Sequence, residues 1–145
     1  MSATADHAEE RTNPAARLGF QPGQVVQEIG YDDDADQELR EAIEETIGAD
    51  LVDEDYEDVA DVVVLWFRED DGDLTDALVD AIGLIDEGGQ LWLLTPKTGR
   101  DGYVEPSDIN ESAQTAGLSQ TKSISVAKDW TGSRLVTPKA AAKKR

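Results

Sequence analysis

The first 120 residues hold only six basic side chains against 31 acids. Two of the six fall in one run, Thr95-Pro96-Lys97-Thr98-Gly99-Arg100. Hydroxyls, an ammonium, a glycine and a guanidinium so close together could grip a phosphate or an acidic segment of a partner, because guanidinium groups donate two-pronged, charge-assisted hydrogen bonds to such oxygens. An ordinary charged loop, with Lys97 and Arg100 paired to neighbouring carboxylates, accounts for the same residues. Lys128 and Trp130 place a cation and an aromatic at a second turn, where Trp130 is expected to be exposed. That pairing suits a contact anchor, or a local cluster packed on an edge strand. Thr95, Lys97, Thr98, Gly99, Arg100, Lys128 and Trp130 are therefore the candidate ligand or partner contacts.

Other chemistry lacks parts. Asp32, Asp34 and Asp36 alternate as a calcium loop begins, but Gln37 and Ile43 stand where that loop needs glycine and glutamate. Asp70, Asp71 and Asp73 are also close together, yet helix capping and a solvated acidic loop explain both groups, and no metal is expected. The chain has no cysteine and one histidine, His7, in a polar lead. Thiolate chemistry and a serine–histidine pair are thereby excluded, and no catalytic residue stands out. Glu28-Ile29-Gly30 opens like a nucleotide-binding turn, but Tyr31-Asp32-Asp33-Asp34 follows where further glycines belong. Carboxylates at the start of a helix occupy the place of an anion and repel phosphate. No cofactor is expected.

The elements that would position these residues form an α/β pattern. Asp61-Val62-Val63-Val64-Leu65-Trp66-Phe67 is too short for a lone helix and does not alternate, as in a strand buried on both faces. Before it come a strand over 24–31 and a helix capped by Asp32–Asp36, with an apolar stripe at Leu39, Ala42, Ile43 and Ile47 and an end at Gly48. A brief strand at Leu51-Val52 and an acidic connector, 53–58, follow. Asp73 then caps a helix bearing Leu74, Ala77, Leu78, Ala81, Ile82 and Ile85, stopped by Glu87-Gly88-Gly89. The strand 90–95 should lie parallel to the central one. Pro106 opens a helix carrying Ile109, Ala113 and Ala116 and ending at Gly117. A serine-rich outer strand, a hairpin turn over 128–132 and a return strand over 133–137 complete the order. Trp66 and Trp92 are expected in the core.

From Val62 onward this punctuation resembles the second half of a class I methyltransferase: a buried strand, a helix before Gly88-Gly89, a strand ending at Thr95-Pro96 and a closing strand pair. The strings Gln24-Val25-Val26-Gln27-Glu28-Ile29-Gly30-Tyr31-Asp32, Asp61 to Trp66, Leu91 to Arg100 and Glu105-Pro106-Ser107-Asp108-Ile109 resemble a small actinobacterial family, domain of unknown function 3052. That resemblance brings no activity with it. Genes of the family near those for the first component of pyruvate dehydrogenase and a peroxiredoxin imply a central-metabolism or stress setting.

The expected fold is thus an open, mostly parallel α/β sheet with helices on both faces and a C-terminal antiparallel hairpin, of three-layer Rossmann or methyltransferase-like type. It spans residues 19–138, between a disordered lead (1–18) and a mobile basic tail (139–145). The net charge is −19, which repels nucleic acid and anionic membrane. No apolar run is long enough for a membrane span, and no signal segment is visible, so a cytoplasmic location is expected. The function expected is a non-enzymatic regulator or adaptor that binds another protein, or self-associates weakly through its acidic body and basic tail. The alternative is a sensor of a nucleotide or other small anion on a degenerate methyltransferase-like domain.

Overall fold

The computed structural model describes residues 18–137. The elements run β1 (Val26–Ile29), α1 (Gln37–Ile47), β2 (Ala60–Trp66), a 3-10 turn (Glu69–Asp71), α2 (Leu74–Ile82), β3 (Ile85–Pro96), α3 (Pro106–Thr115), β4 (Ser119–Ser125) and β5 (Trp130–Val136). They form a five-stranded sheet in the order β1-β2-β3-β5-β4. β1, β2 and β3 are parallel, whereas β5 is antiparallel to both β3 and β4. The mixed α/β sheet with a closing antiparallel pair is the architecture expected.

The unalternated run of β2 is buried on both sides because helices cover both faces. Val62, Val64 and Trp66 join Leu39, Ile43 and Ile47 of α1 in one core cluster. Val63 and Leu65 join Leu74, Leu78 and Ala81 of α2 and Ile109 and Ala113 of α3 in the other. Trp66 and Trp92 are core residues, 1% and 0% exposed. The caps also lie where the residue types put them. The Asp36 side chain accepts from the Leu39 amide, Asp73 accepts from the Thr75 amide, Gly48 ends α1 with φ +79°, and Pro106 stands in the first turn of α3.

Several boundaries differ from the sequence expectation. α2 stops at Ile82 with Gly83 as its cap, and β3 begins at Ile85, so Glu87-Gly88-Gly89 lies inside a strand rather than after a helix. Pairing of Ala60 with Ile85 decides this in favour of sheet. Leu51-Val52 is reduced to a single parallel bridge, Val52 to Gln27. Fully buried Gln27 pins the acidic connector from below, its Nε2 donating to the carbonyls of Asp53 at 2.9 Å and Tyr56 at 3.4 Å. The hairpin turn falls before Trp130, not around it. Leu18, expected in the lead, packs with Phe20 into the α1-side core. The rest of the lead, including His7, and the tail 139–145 lie outside the described residues.

Candidate functional site

Val52 pairs with one side of β1 and β2 with the other, so successive connections leave β1 in opposite directions. Open α/β sheets bind ligands at such a switch point, in the crevice beyond the carboxyl ends of the strands. Here Gly30 follows β1, Arg68 follows β2, the 97–103 loop follows β3, and Trp130, paired with Pro96, begins β5 at the same end.

Arg68 spans this crevice. Its Nη1 donates to the carbonyls of Gly30 (2.8 Å) and Trp66 (3.3 Å) and to Asp71 Oδ2 (3.2 Å). Its Nε donates to Asp34 Oδ2 at 3.0 Å, and Nη2 donates to Asp34 Oδ1. The guanidinium lies over the Trp130 ring, 5.3 Å from its centroid. Trp130 meets Trp66 edge-on, with centroids 4.8 Å apart, and its Nε1 donates to the Asp34 carbonyl at 3.1 Å. Two carboxylates, two carbonyls and an aromatic face thus enclose a cation supplied by the chain itself. Burial alone would lower the Arg68 pKa, but the hydrogen bonds to Asp34 and Asp71 outweigh it and hold the group above its usual value. The same guanidinium, chiefly through its hydrogen bond, holds the Asp34 carboxyl below the usual carboxylate range.

A second network lies beneath. Glu28, 6% exposed, accepts from Arg40 Nε (2.7 Å) and Nη2 (2.9 Å) and from Trp66 Nε1 (2.8 Å). Arg40 also covers the Tyr31 ring at 4.3 Å. A two-pronged carboxylate–guanidinium pair of this kind fixes orientation as well as charge, and it ties α1 to the end of β1.

The candidate contacts proposed from sequence divide. Thr95 is 2% exposed inside β3 and is not a loop residue. Trp130 was expected at an exposed turn but is 3% exposed in the core. Its position opposite Pro96 in the β3–β5 ladder turns it inward. Lys97 is half-buried, while Thr98, Gly99, Arg100 and Lys128 are exposed. The structure does bring the two turns together, since the Lys97 amide donates to the Asp129 carbonyl at 2.9 Å and Arg100 pairs with the Asp129 carboxylate at 3.1 Å. Arg100 therefore spends its charge on a neighbour. The same loop closes on the crevice at Gly102 (φ +85°), where an added Cβ would lie 2.8 Å from the Arg68 Cβ.

Asp32–Asp36 and Asp70–Asp73 serve the fold. Asp36 and Asp73 cap helices, Asp34 and Asp71 hold Arg68, and among the described residues no cluster of metal-ligating side chains forms. Another concavity, about 100 Å³, lies at the opposite end of the sheet, and its lining, Ile82, Ile85, Gly89, Leu118, Leu135, Val136 and Thr137, offers no charged group.

Comparison with known proteins agrees with this fold. Residues 15–139 match a protein family of unknown function, DUF3052. The chain belongs to that family. Uncharacterized proteins of Mycobacterium tuberculosis and Mycobacterium bovis are 52% identical to it over 141 residues, covering 97% of this chain and 87% of theirs. Among solved structures, the O-methyltransferase of neocarzinostatin biosynthesis, in complex with S-adenosyl-L-homocysteine, superposes with a TM-score of 0.63 at 14% identity, over 94% of this chain and 56% of that one. The ribosomal protein L11 methylase of Lactobacillus delbrueckii subsp. bulgaricus gives 0.54 at 16% identity, over 90% and 77%. Likeness at this identity shows the fold, and function has to be argued from the site.

The neocarzinostatin enzyme holds S-adenosyl-L-homocysteine, and doubly wound folds seat nucleotides beside the turn after their first strand, where an adenosyl ligand can be tried against this chain. The residues of this DUF3052 chain do not fit one. The Gly30 amide donates to Glu54 Oε2 at 3.0 Å, and the Gly30 carbonyl accepts from Arg68. A side chain at Gly30 would overlap the Trp66 carbonyl. The Asp33 amide is satisfied by Asp32 Oδ1 at 2.7 Å. The Gly30 and Asp33 amides are thus met from within, and Arg68 with Asp34 crosses the space above them. Arg68, Glu54 and Gly102 were not singled out from sequence, and Asp71 was noted only as a member of an acidic group. The one local signal was a cation placed directly after the most buried strand.

Proposed function

We propose that this chain is a non-enzymatic regulatory or adaptor protein that acts by contact with another protein, on a methyltransferase-like fold that has given up its cofactor. The observation that carries the proposal is Arg68, which fills the switch-point crevice with a cation bound on all sides by the chain's own acceptors and the Trp130 ring. In such a crevice the Gly30 and Asp33 amides are already taken, Arg68 occupies the position above them, and Asp34 and Asp71 repel a phosphate or carboxylate. Surface chemistry is what the molecule has left.

The test is a thermal-shift series with S-adenosylmethionine, S-adenosylhomocysteine, NAD, ATP and coenzyme A. A ligand at a hundredfold excess over its Kd adds about 2.7 kcal/mol of stability, or roughly 8–10 °C for a chain of this size. No rise is expected with any of them. A saturable rise with one would overturn the proposal and favour a small-molecule sensor.

A further inference from the structure

The two edges of the sheet are treated differently. The outer side of β1 is covered, since the Glu28 amide donates to the Val52 carbonyl at 2.8 Å and the Val52 amide to the Val26 carbonyl at 3.0 Å. The outer side of β4 has no neighbouring strand among the described residues. Every β4 side chain except that of Ile124, which packs against the α1-side core, is exposed. The Val126 amide donates to the Trp130 carbonyl across the hairpin. By strand alternation the amides of Ser123 and Ser125 point away from β5, into the open edge.

The charge at this edge is unusual for the molecule. Residues 112–128 contain no acid, in a chain with 32. Lys122 of β4 lies directly opposite Arg134 of β5, a like-charge cross-strand pair that destabilises a sheet. Arg134 is held by neutral groups, Nη1 donating to Thr121 Oγ1 at 2.9 Å and Nε to Gln90 Oε1. The ion pairs among the described residues involve neither cation. Lys122 on the open edge and Arg134 beside it on β5 thus have no carboxylate partner among the described residues.

Building on the contact function proposed above, we infer that β4 receives an extended segment of a partner protein as a sixth, antiparallel strand, with a carboxylate of that segment set opposite Lys122. The backbone supplies the affinity and the rung Arg134–Lys122–carboxylate supplies the choice of partner. Lys122 donates toward β5, so its outward pairing is of the closer, non-hydrogen-bonded kind, in which side chains meet most directly. One acid suits the site better than a run of acids, because the body's charge of −19 repels a polyanion at long range.

The probe is a capped nine-residue threonine–valine peptide with a central glutamate, compared with the same peptide carrying a central lysine, titrated into the full chain and followed by amide chemical shifts and hydrogen exchange. The glutamate peptide should shift and protect Ser123 and Ser125. The lysine peptide should bind roughly two- to thirtyfold more weakly, the range spanned when a favourable cross-strand pair becomes an unfavourable one. Lys122→Glu should invert the preference, and Ser123→Pro, which removes an outward donor while leaving the β5 ladder intact, should abolish binding by both. Lysine and an irregular register at Gln120/Lys122 are also devices that keep an edge unpaired. Absence of binding by either peptide, or binding without charge preference, would mean that they serve that end here and would overturn the inference. So would a dimer of the chain alone with its β4 amides already protected. A flat cofactor screen with no peptide binding would remove this inference and leave the contact function standing; a cofactor-induced rise would remove the function itself.

Discussion

Glu28 should be the most sensitive charged residue in the molecule. In Glu28→Ala, Trp66 Nε1, on a side chain 1% exposed, loses its acceptor, and an unsatisfied buried donor costs about 1–3 kcal/mol. Arg40 loses both prongs of its pair. Removing one partner of a fully buried pair costs about 3–5 kcal/mol. Arg40 is 24% exposed and keeps Gln37 Oε1 at 2.9 Å and the Tyr31 face, so water and these contacts return a good part of that. The sum is about 2–4 kcal/mol, roughly 6–15 °C in Tm, a large share of the 5–15 kcal/mol that holds a typical domain. Urea unfolding of Glu28→Ala, Arg40→Met and the double variant measures it. Because the penalty is that of an orphaned partner, the double variant should be less destabilised than the sum of the single ones. A single variant within about 0.5 kcal/mol of wild type, or strictly additive losses, would refute the reasoning.

Two glycines with nearly the same φ should respond differently to alanine. Gly48 (φ +79°) has nothing within 4 Å of an added Cβ, so Gly48→Ala should cost only the left-handed backbone term, about 1–2 kcal/mol. Gly30 (φ +80°) meets the Trp66 carbonyl as well, so Gly30→Ala should cost roughly 2–4 kcal/mol; equal losses in denaturant unfolding would show that the close approach carries no weight. Asp34 gives the crevice an acid dependence. Its folded pKa lies below its unfolded one because Arg68 donates to it, so its contribution is complete above about pH 4 and fades as pH falls through the folded value. Asp34→Asn should lower stability at pH 7 and flatten the loss as pH falls below about 4, whereas unfolding curves parallel to wild type through that acid range would count against the Arg68 clasp.

Much of the fold was legible because local and tertiary signals agree. The β2 run could only be a doubly buried strand, and Asp36, Gly48, Asp73 and Pro106 do locally what their residue types favour. Where the expectation failed, two local readings were of similar strength. The stripe Leu74, Leu78, Ala81, Ile85 keeps helical spacing, so Ile85 reads as its last member; pairing with Ala60 draws it into β3, and no local propensity records that pairing. Trp130 failed through register. Placing the turn over 128–132 exposes it, whereas a turn that ends before it sets it opposite Pro96 and faces it inward, since strand side chains alternate.

The sequence pointed to the 97–100 loop and the Lys128–Trp130 turn, whereas the crevice beside them is organised by Arg68. Acids after β1, where a nucleotide-binding turn has glycines, drew attention to this turn, and the reason inferred was repulsion of an external anion. The structure adds that the same acids attract an internal cation. Arg68 and its acceptors Gly30 and Asp34 are separated by 38 and 34 residues, beyond any motif, and only the parallel pairing of β1 with β2 brings them together. This changes how the resemblance to methyltransferases bears on function. Restoring glycines at Tyr31–Asp34 would not by itself restore a cofactor site, because removing Asp34 leaves the Arg68 guanidinium between the Gly30 and Trp66 carbonyls, held by Asp71 and roofed by Trp130. The occupied crevice is therefore built from two strand ends at once, and opening it to a ligand requires removing Arg68 as well as altering the turn after β1.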